Sequence, residues 1–192
     1  MKILAIGDLH GDLTQAKKLA EQAEKEKVDL VILNGDFTFF GNHTPGLIQV
    51  FKDKGKKIAL LPWNHESLAT TEFLAKKYGV INLHNYSMSF GEIGIFGSGS
   101  ASDSELLSSL KKSYNYIKSS KNKIMFTHFH PDKTLISRLG YFMGSRAIKK
   151  AIEELKPDLA ICSHIHEAEG IEETIGKTKV LCIGKKGKII EL

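Results

Sequence analysis

The sequence predicts an α/β fold with a largely parallel sheet in its first half and a mixed sheet in its second. Three observations carry this. Up to about residue 80, apolar runs of strand length alternate with amphipathic stretches of helical period. Beyond it, short strand-like runs follow one another with little but turn residues between them. The chain also contains no linker, repeat or low-complexity stretch, so residues 1–192 read as one domain.

The elements follow in order. Ile3 to Gly7 is a short apolar run and reads as a buried strand. Leu13 to Lys27 carries Leu13, Ala16, Leu19, Ala20 and Ala23 at helical spacing, with charged residues between. Val28 to Asn34 is a second buried strand, Gly46 to Asp53 a short helix after a loop at Gly41 to Pro45, and Lys57 to Leu61 a third strand. Glu66 to Tyr78 is helical and stops at Gly79. Val80 to Leu83, Ser87 to Phe90 and Ile93 to Phe96 read as consecutive strands, the last two joined at Gly91-Glu92. Ser102 or Asp103 caps a helix reaching about Ser119. Lys123 to Thr127 is a strand. Ser145 precedes a helix from Arg146 to Leu155, which Lys156-Pro157 ends. Leu159 to Cys162 is a strand, and Lys179 to Ile183 with Lys188 to Leu192 reads as a closing hairpin around Lys186-Gly187.

Composition excludes several classes. Hydrophobic residues are 42% of the chain, too many for disorder. No apolar run approaches the roughly 20 residues that cross a bilayer, so no membrane partner is expected. Residues 1–8 turn polar too early for a leader. Cys162 and Cys182 lie in apolar runs and read as buried thiols in a reducing compartment, which points to the cytoplasm. The formal charge of +5 is spread along the chain and almost all lysine, with Arg138 and Arg146 the two arginines; a solvated surface explains it.

The chemistry sits in five clusters, each directly after an apolar strand. They are Gly7-Asp8-Leu9-His10-Gly11, Asn34-Gly35-Asp36, Trp63-Asn64-His65-Glu66, Thr127-His128-Phe129-His130-Pro131 and Ser163-His164-Ile165-His166. Loops leaving the carboxyl ends of α/β strands form the ligand crevice, so the five can converge. Asp8 with His10, and His164 with His166, are two apart; on an extended segment each pair points one way. Each cluster alone also has a structural reading, as a helix cap or a turn. Together they offer carboxylate, imidazole and amide donors without cysteine, which suits Mn²⁺, Fe, Zn²⁺ or Ni²⁺ in a reactive site. Seven donors, Asp8, His10, Asp36, Asn64, His128, His164 and His166, suffice for two divalent ions. Ions about 3.5–4 Å apart need a bridging carboxylate.

The order Asp-X-His, Gly-Asp, Asn-His-Glu, His, His-X-His resembles the calcineurin-like metallophosphoesterases, most closely their small cap-less archaeal and bacterial members. The resemblance spans Asp8 to His166. It implies a sandwich of two mixed β-sheets flanked by helices, four layers in all. It also implies that Asp8, His10, Asp36 and His166 hold one metal and Asp36, Asn64, His128 and His164 the other, with Asp36 bridging and Mn²⁺ the favoured ion. His65 matches the family's catalytic histidine. Two positions depart from the pattern: Trp63 and Ser163 stand where glycine is usual.

The expected activity is phosphodiester or phosphomonoester hydrolysis by a metal-bridging hydroxide, with His65 acting on the developing charge or the leaving oxygen. A small phosphate ester is the favoured substrate. A nuclease acting on single strands with the same chemistry is the alternative, and a non-catalytic scaffold a distant third. Glu66 orients His65 or caps the following helix. His43, Trp63, His130 and Arg146 are candidate substrate contacts by residue type and loop position, and His84 reads as a surface histidine.

Overall fold

A computed structural model describes residues 1–99, 102–141 and 143–192. Two sheets stack face to face. The first has five strands in the order β11-β1-β2-β3-β4 and the second six in the order β5-β6-β7-β8-β10-β9. In the first, β1 (Lys2–Ile6), β2 (Leu30–Asn34), β3 (Lys57–Leu61) and β4 (Ile81–Asn82) run parallel, and β11 (Lys188–Glu191) pairs antiparallel with β1. In the second, β6 (Ile93–Gly97), β7 (Asn122–Phe126), β8 (Leu159–Cys162) and β10 (Thr178–Cys182) run parallel. The flanking strands β5 (Tyr86–Phe90) and β9 (Glu172–Ile175) are antiparallel.

Strand alternation builds three apolar layers. Ile3 and Ala5 of β1, Leu30 and Ile32 of β2, and Ala59 and Leu61 of β3 face the second sheet, meeting Ile95, Ile124, Phe126, Ile161 and Leu181. The intervening Leu4, Ile6, Val31, Leu33, Ile58 and Leu60 face outward onto α1 (Leu13–Lys25), α2 (Gln49–Asp53) and α3 (Leu68–Tyr78). Phe96, Met125, Ala160, Val180 and Cys182 do the same for α4 (Asp103–Asn115) and α6 (Arg146–Leu155). With both faces covered, central strands read as continuous apolar runs. The expected helix–sheet–sheet–helix layering is therefore present.

Three details differ from the sequence reading. The closing hairpin does not form, because β10 belongs to the second sheet and β11 to the first. Apolar periodicity marks both as strands but carries no information on pairing. The hairpin partner of β10 is β9, reached through Gly176, and its half-exposed Glu172-Glu173-Thr174-Ile175 has too few apolar residues to announce a strand. A one-turn helix α5 (Leu135–Leu139) was also silent; Thr134 and Ser137 form a capping box at its start. The third helix begins at Leu68 with Ser67 as its cap, whose Oγ accepts from Thr70 N at 2.9 Å, so Glu66 is released from capping. Cys162 and Cys182 are free thiols, buried side by side on β8 and β10. No described helix is long and apolar enough to cross a membrane.

Candidate metal centre

All five clusters leave the same edge of the sandwich, from the carboxyl ends of β1, β2, β3, β7 and β8. The loops after β1 and β2 are zipped together. Asp8 N donates to Gly35 O (3.3 Å), His10 N to Asp36 O (2.8 Å) and Gly11 N to Phe37 O (3.1 Å). This zipper turns the side chains inward, and the extended-segment argument for the i, i+2 pairs fails here. Asp8, His10, Asp36 and His164 have φ of 55°, 45°, 51° and 74°, left-handed values that non-glycine residues rarely adopt. Such strain persists where surrounding structure over-determines it, commonly at functional sites. Gly35 is required for closeness: a Cβ there would sit 2.3 Å from His128 Nδ1.

The donors gather in three overlapping groups, each with ligand atoms within 4.8 Å of one another: Asp8, His10 and His166; Asp36, His128 and His164; and His10, Asp36 and His65. Asp8 Oδ1 lies 3.5 Å from His166 Nε2 and 3.6 Å from His128 Nε2. Asp36 Oδ2 lies 3.5 Å from His128 Nε2 and 4.0 Å from His65 Nε2. Asn64 lines the same cleft. Asp8 Oδ1 and His128 Nε2 are buried and make no hydrogen bond among the described residues. Buried polar atoms ordinarily have such a partner. Aimed at one another from a set of hard oxygen and imidazole donors, they fit a divalent cation.

Charge in the cluster is mutually supporting. Burial works to raise the Asp36 carboxyl, but the His128 imidazole 3.5 Å away, helped by His65, outweighs it and holds it below the usual range. Burial works to lower His128, yet the Asp36 and Asp8 carboxylates that face its Nε2 at 3.5 and 3.6 Å raise it. The Asp8 carboxylate, 3.5 Å from its Nε2, raises His166. Burial, then the neighbouring His128, pushes His164 down to about 4. Burial also lowers His10.

Outer hydrogen bonds orient these rings. His128 Nδ1 is 2.7 Å from Asn34 O, which takes its proton and leaves Nε2 facing the carboxylates. Ser163, where glycine was expected, donates from Oγ to Asn34 O (3.0 Å) and accepts from Asn34 Nδ2 (2.9 Å). Its bulk is accommodated by Gly7, where a Cβ would lie 2.6 Å from Ser163 Cβ. His65 Nδ1 accepts from Phe40 N (3.1 Å), so a neutral ring carries its proton on Nε2, the side facing Asp36.

Glu66 is the residue whose part the sequence concealed. It is buried, and its carboxylate accepts from Asp36 N (3.0 Å) and Thr38 N (2.6 Å). It braces the loop that carries Asp36. Burial, countered by the Thr38 amide and reinforced by the Asp36 charge, raises its carboxyl to about 7.

The four candidate substrate contacts do not line the cleft. His43 bonds Tyr78 Oη at 2.8 Å. Trp63 stacks on Phe129 (5.3 Å) and His128 (5.7 Å), packing against the loop. His130 is fully buried against Phe129. Arg146 is exposed and pairs with Asp132 at 3.8 Å. His84 is half-buried, with Nδ1 accepting from Gly99 N (3.2 Å), and is no simple surface histidine. The cleft, about 590 Å³, is walled instead by Phe39, Phe40, Tyr141, Ile165 and Glu167. The one sequence signal for this wall was the aromatic pair Phe39-Phe40 directly before Gly41.

Comparison with known proteins bears on this arrangement. The chain superposes on TT1561 of Thermus thermophilus with a TM-score of 0.75 at 16% identity, over 96% of this chain and 90% of that one. An archaeal phosphodiesterase matches with a TM-score of 0.58 at 20% identity, over 96% and 84%. The purple acid phosphatase PPD1 from yellow lupin matches with a TM-score of 0.62 at 14% identity, over 97% of this chain and 44% of that one. These likenesses show the fold. No curated protein sequence matches. The model of the calcineurin-like phosphoesterases matches residues 1–168, a span that holds every donor described above, and the chain belongs to that family of hydrolases.

Proposed function

We propose that this protein hydrolyses small phosphoesters, diesters above all, with two divalent cations held at the rim of the sandwich. Asp8, His10, Asp36 and His166 hold one ion, and Asp36, Asn64, His128 and His164 the other, with Mn²⁺ the favoured metal. The observation that carries the reading is the convergence of Asp8, Asp36, His128 and His166 nitrogens and oxygens within 3.5–3.6 Å contacts, two of the atoms having no hydrogen bond among the described residues. The activities of the archaeal phosphodiesterase and the purple acid phosphatase that share the fold support phosphoester chemistry.

Bound ions supply Lewis acidity, which activates water near neutral pH and offsets phosphoryl charge. The chain does the rest. Asp36 stands in one donor group with His128 and His164 and in another with His10 and His65, so it would be the carboxylate shared between the two ions. Asn34 and Ser163 hold His128 in the tautomer that presents Nε2. His65, anchored through Nδ1 by Phe40 N, presents Nε2–H to the cleft, where it donates to a phosphoryl or leaving-group oxygen.

The test is hydrolysis of bis-p-nitrophenyl phosphate with Mn²⁺, alongside elemental analysis. Wild type turns over, and His65→Ala retains its metal while losing about 10²–10⁴-fold in rate. A protein that binds two ions yet cleaves nothing in a panel of monoesters and diesters contradicts the proposal.

A further inference from the structure

Beside His65 the backbone does something its sequence makes costly. Phe39 and Asn42 exchange two backbone hydrogen bonds, Phe39 N to Asn42 O (3.2 Å) and Asn42 N to Phe39 O (3.0 Å). The two residues between them, Phe40 and Gly41, have φ of 48° and 77°. Two left-handed residues closing a two-residue hairpin is the pattern of a type I′ turn, for which Asn-Gly or Asp-Gly is the comfortable choice. A bulky ring in that first position is an outlier. Core packing does not offset the strain, because Phe40 is 70% exposed and Phe39 53%.

The hairpin places both rings at the cleft mouth. Phe40 lies over the His65 imidazole, centroids 4.2 Å apart and tilted by 32°. Phe39 abuts Phe40 at 4.9 Å and His65 at 5.8 Å. The tip is pinned to His65 by Gly41 N donating to His65 O at 2.7 Å, besides the Phe40 amide already described. Tyr141, fully exposed, also lines the cleft.

Charge narrows the ligand. The protein carries +5, yet among the described residues lining this cleft none is lysine or arginine, and Glu167 is acidic. A groove for polynucleotide needs a track of cations along the backbone together with stacking rings. Here the rings are present and the track is not.

We infer that the Phe39-Phe40 hairpin is a stacking platform for a planar aromatic group, and that the substrate is a small phosphate ester, with one phosphoryl group, whose organic part carries an aryl ring or a nucleobase. The inference rests on the phosphoesterase reading above. The left-handed Phe40 is held where a ring stacked on it keeps the phosphoryl group beside His65 and the metal donors.

Calorimetry on the Mn²⁺-loaded protein tests this without turnover. Phenylphosphonate is compared with methylphosphonate, and the non-hydrolysable 5′-methylenephosphonate of adenosine with that of ribose, the pairs separating aryl from nucleobase. Wild type binds at least one ring-bearing member about tenfold more tightly than its partner, toward the lower end for one aromatic stack. Phe40→Asn, which suits the turn, keeps its melting temperature and metal content and lowers that ratio to below about threefold. Equal affinities within both pairs in wild type, or an unchanged ratio in Phe40→Asn, overturn the inference. So does tighter, steeply salt-dependent binding of a single-stranded oligonucleotide. Hydrolysis without ring preference defeats the inference alone. Ring preference without hydrolysis upholds the platform and defeats the reading it rests on.

Discussion

The two sheets contribute differently to one centre. The rim of the five-stranded sheet provides every carboxylate, the amide of Asn64, and the imidazoles of His10 and His65. The rim of the six-stranded sheet provides only imidazoles, His128, His164 and His166. The first rim is also the more strained: Asp8, His10 and Asp36 are left-handed, against His164 alone among the second rim's donors. Strain there is matched by bracing, the backbone zipper between the β1 and β2 loops and the buried Glu66 beneath Asp36. The second rim is held to the first by His128 and Ser163 on Asn34 and by the Asp8 carboxylate, which accepts from His164 N at 3.3 Å and faces His166 at 3.5 Å. A charged, strained half brings the carboxylate donors together, and a less strained half adds imidazoles from across the seam.

Breaking each half in turn separates these roles. Asp36→Asn has the largest expected effect, because the proposal makes this one carboxylate a ligand of both ions. Both ions fall away together in elemental analysis, with more than the about 10–100-fold loss that follows removal of an outer partner. Loss of one ion only would separate the rims. Gly35→Ala comes next. Its Cβ would meet the His128 ring at a position with φ of 84°, so stability falls by about 1–3 kcal/mol in denaturant melts and His128 is displaced.

Glu66→Gln acts on the first rim's brace. It keeps size, replaces one acceptor oxygen with an NH₂ donor and removes the charge the carboxyl carries above about pH 7, so the Asp36 and Thr38 amides are held less firmly. Metal affinity drops about tenfold, with both ions affected. Ser163→Ala is the mildest. It leaves His128 its bond to Asn34 O, and affinity falls by less than about tenfold, through the His128 ion first. A Ser163→Ala effect exceeding that of Glu66→Gln would reverse the assignment of bracing to the first rim.

Much of this centre was legible because its donors sit in sequence beside the strands that deliver them. Asp8, Asp36, Asn64, His128, His164 and His166 each follow an apolar run within a few residues. The alternating first half likewise announced the parallel sheet. What stayed hidden depends on partners distant along the chain. The Asn34–Ser163 contact joins residues 129 apart, and Glu66 reaches back 30 residues to Asp36. Strand periodicity names β10 and β11 but not the sheets they join. Left-handed backbone at Asp8 and His10 comes from the zipper between loops, so no local rule foretold it. His43, His130 and Arg146 had suitable chemistry and suitable loops, yet their packing partners, Tyr78, Phe129 and Asp132, keep them from the cleft.

The central claim is that two rims of unequal character build a two-ion catalytic centre. Titrating metal-free protein with Mn²⁺ while following ions bound per chain and hydrolysis of bis-p-nitrophenyl phosphate tests it most directly. The account expects two ions per chain, with turnover rising as the second binds. Saturation at one ion with full turnover, or two ions with none, would contradict it.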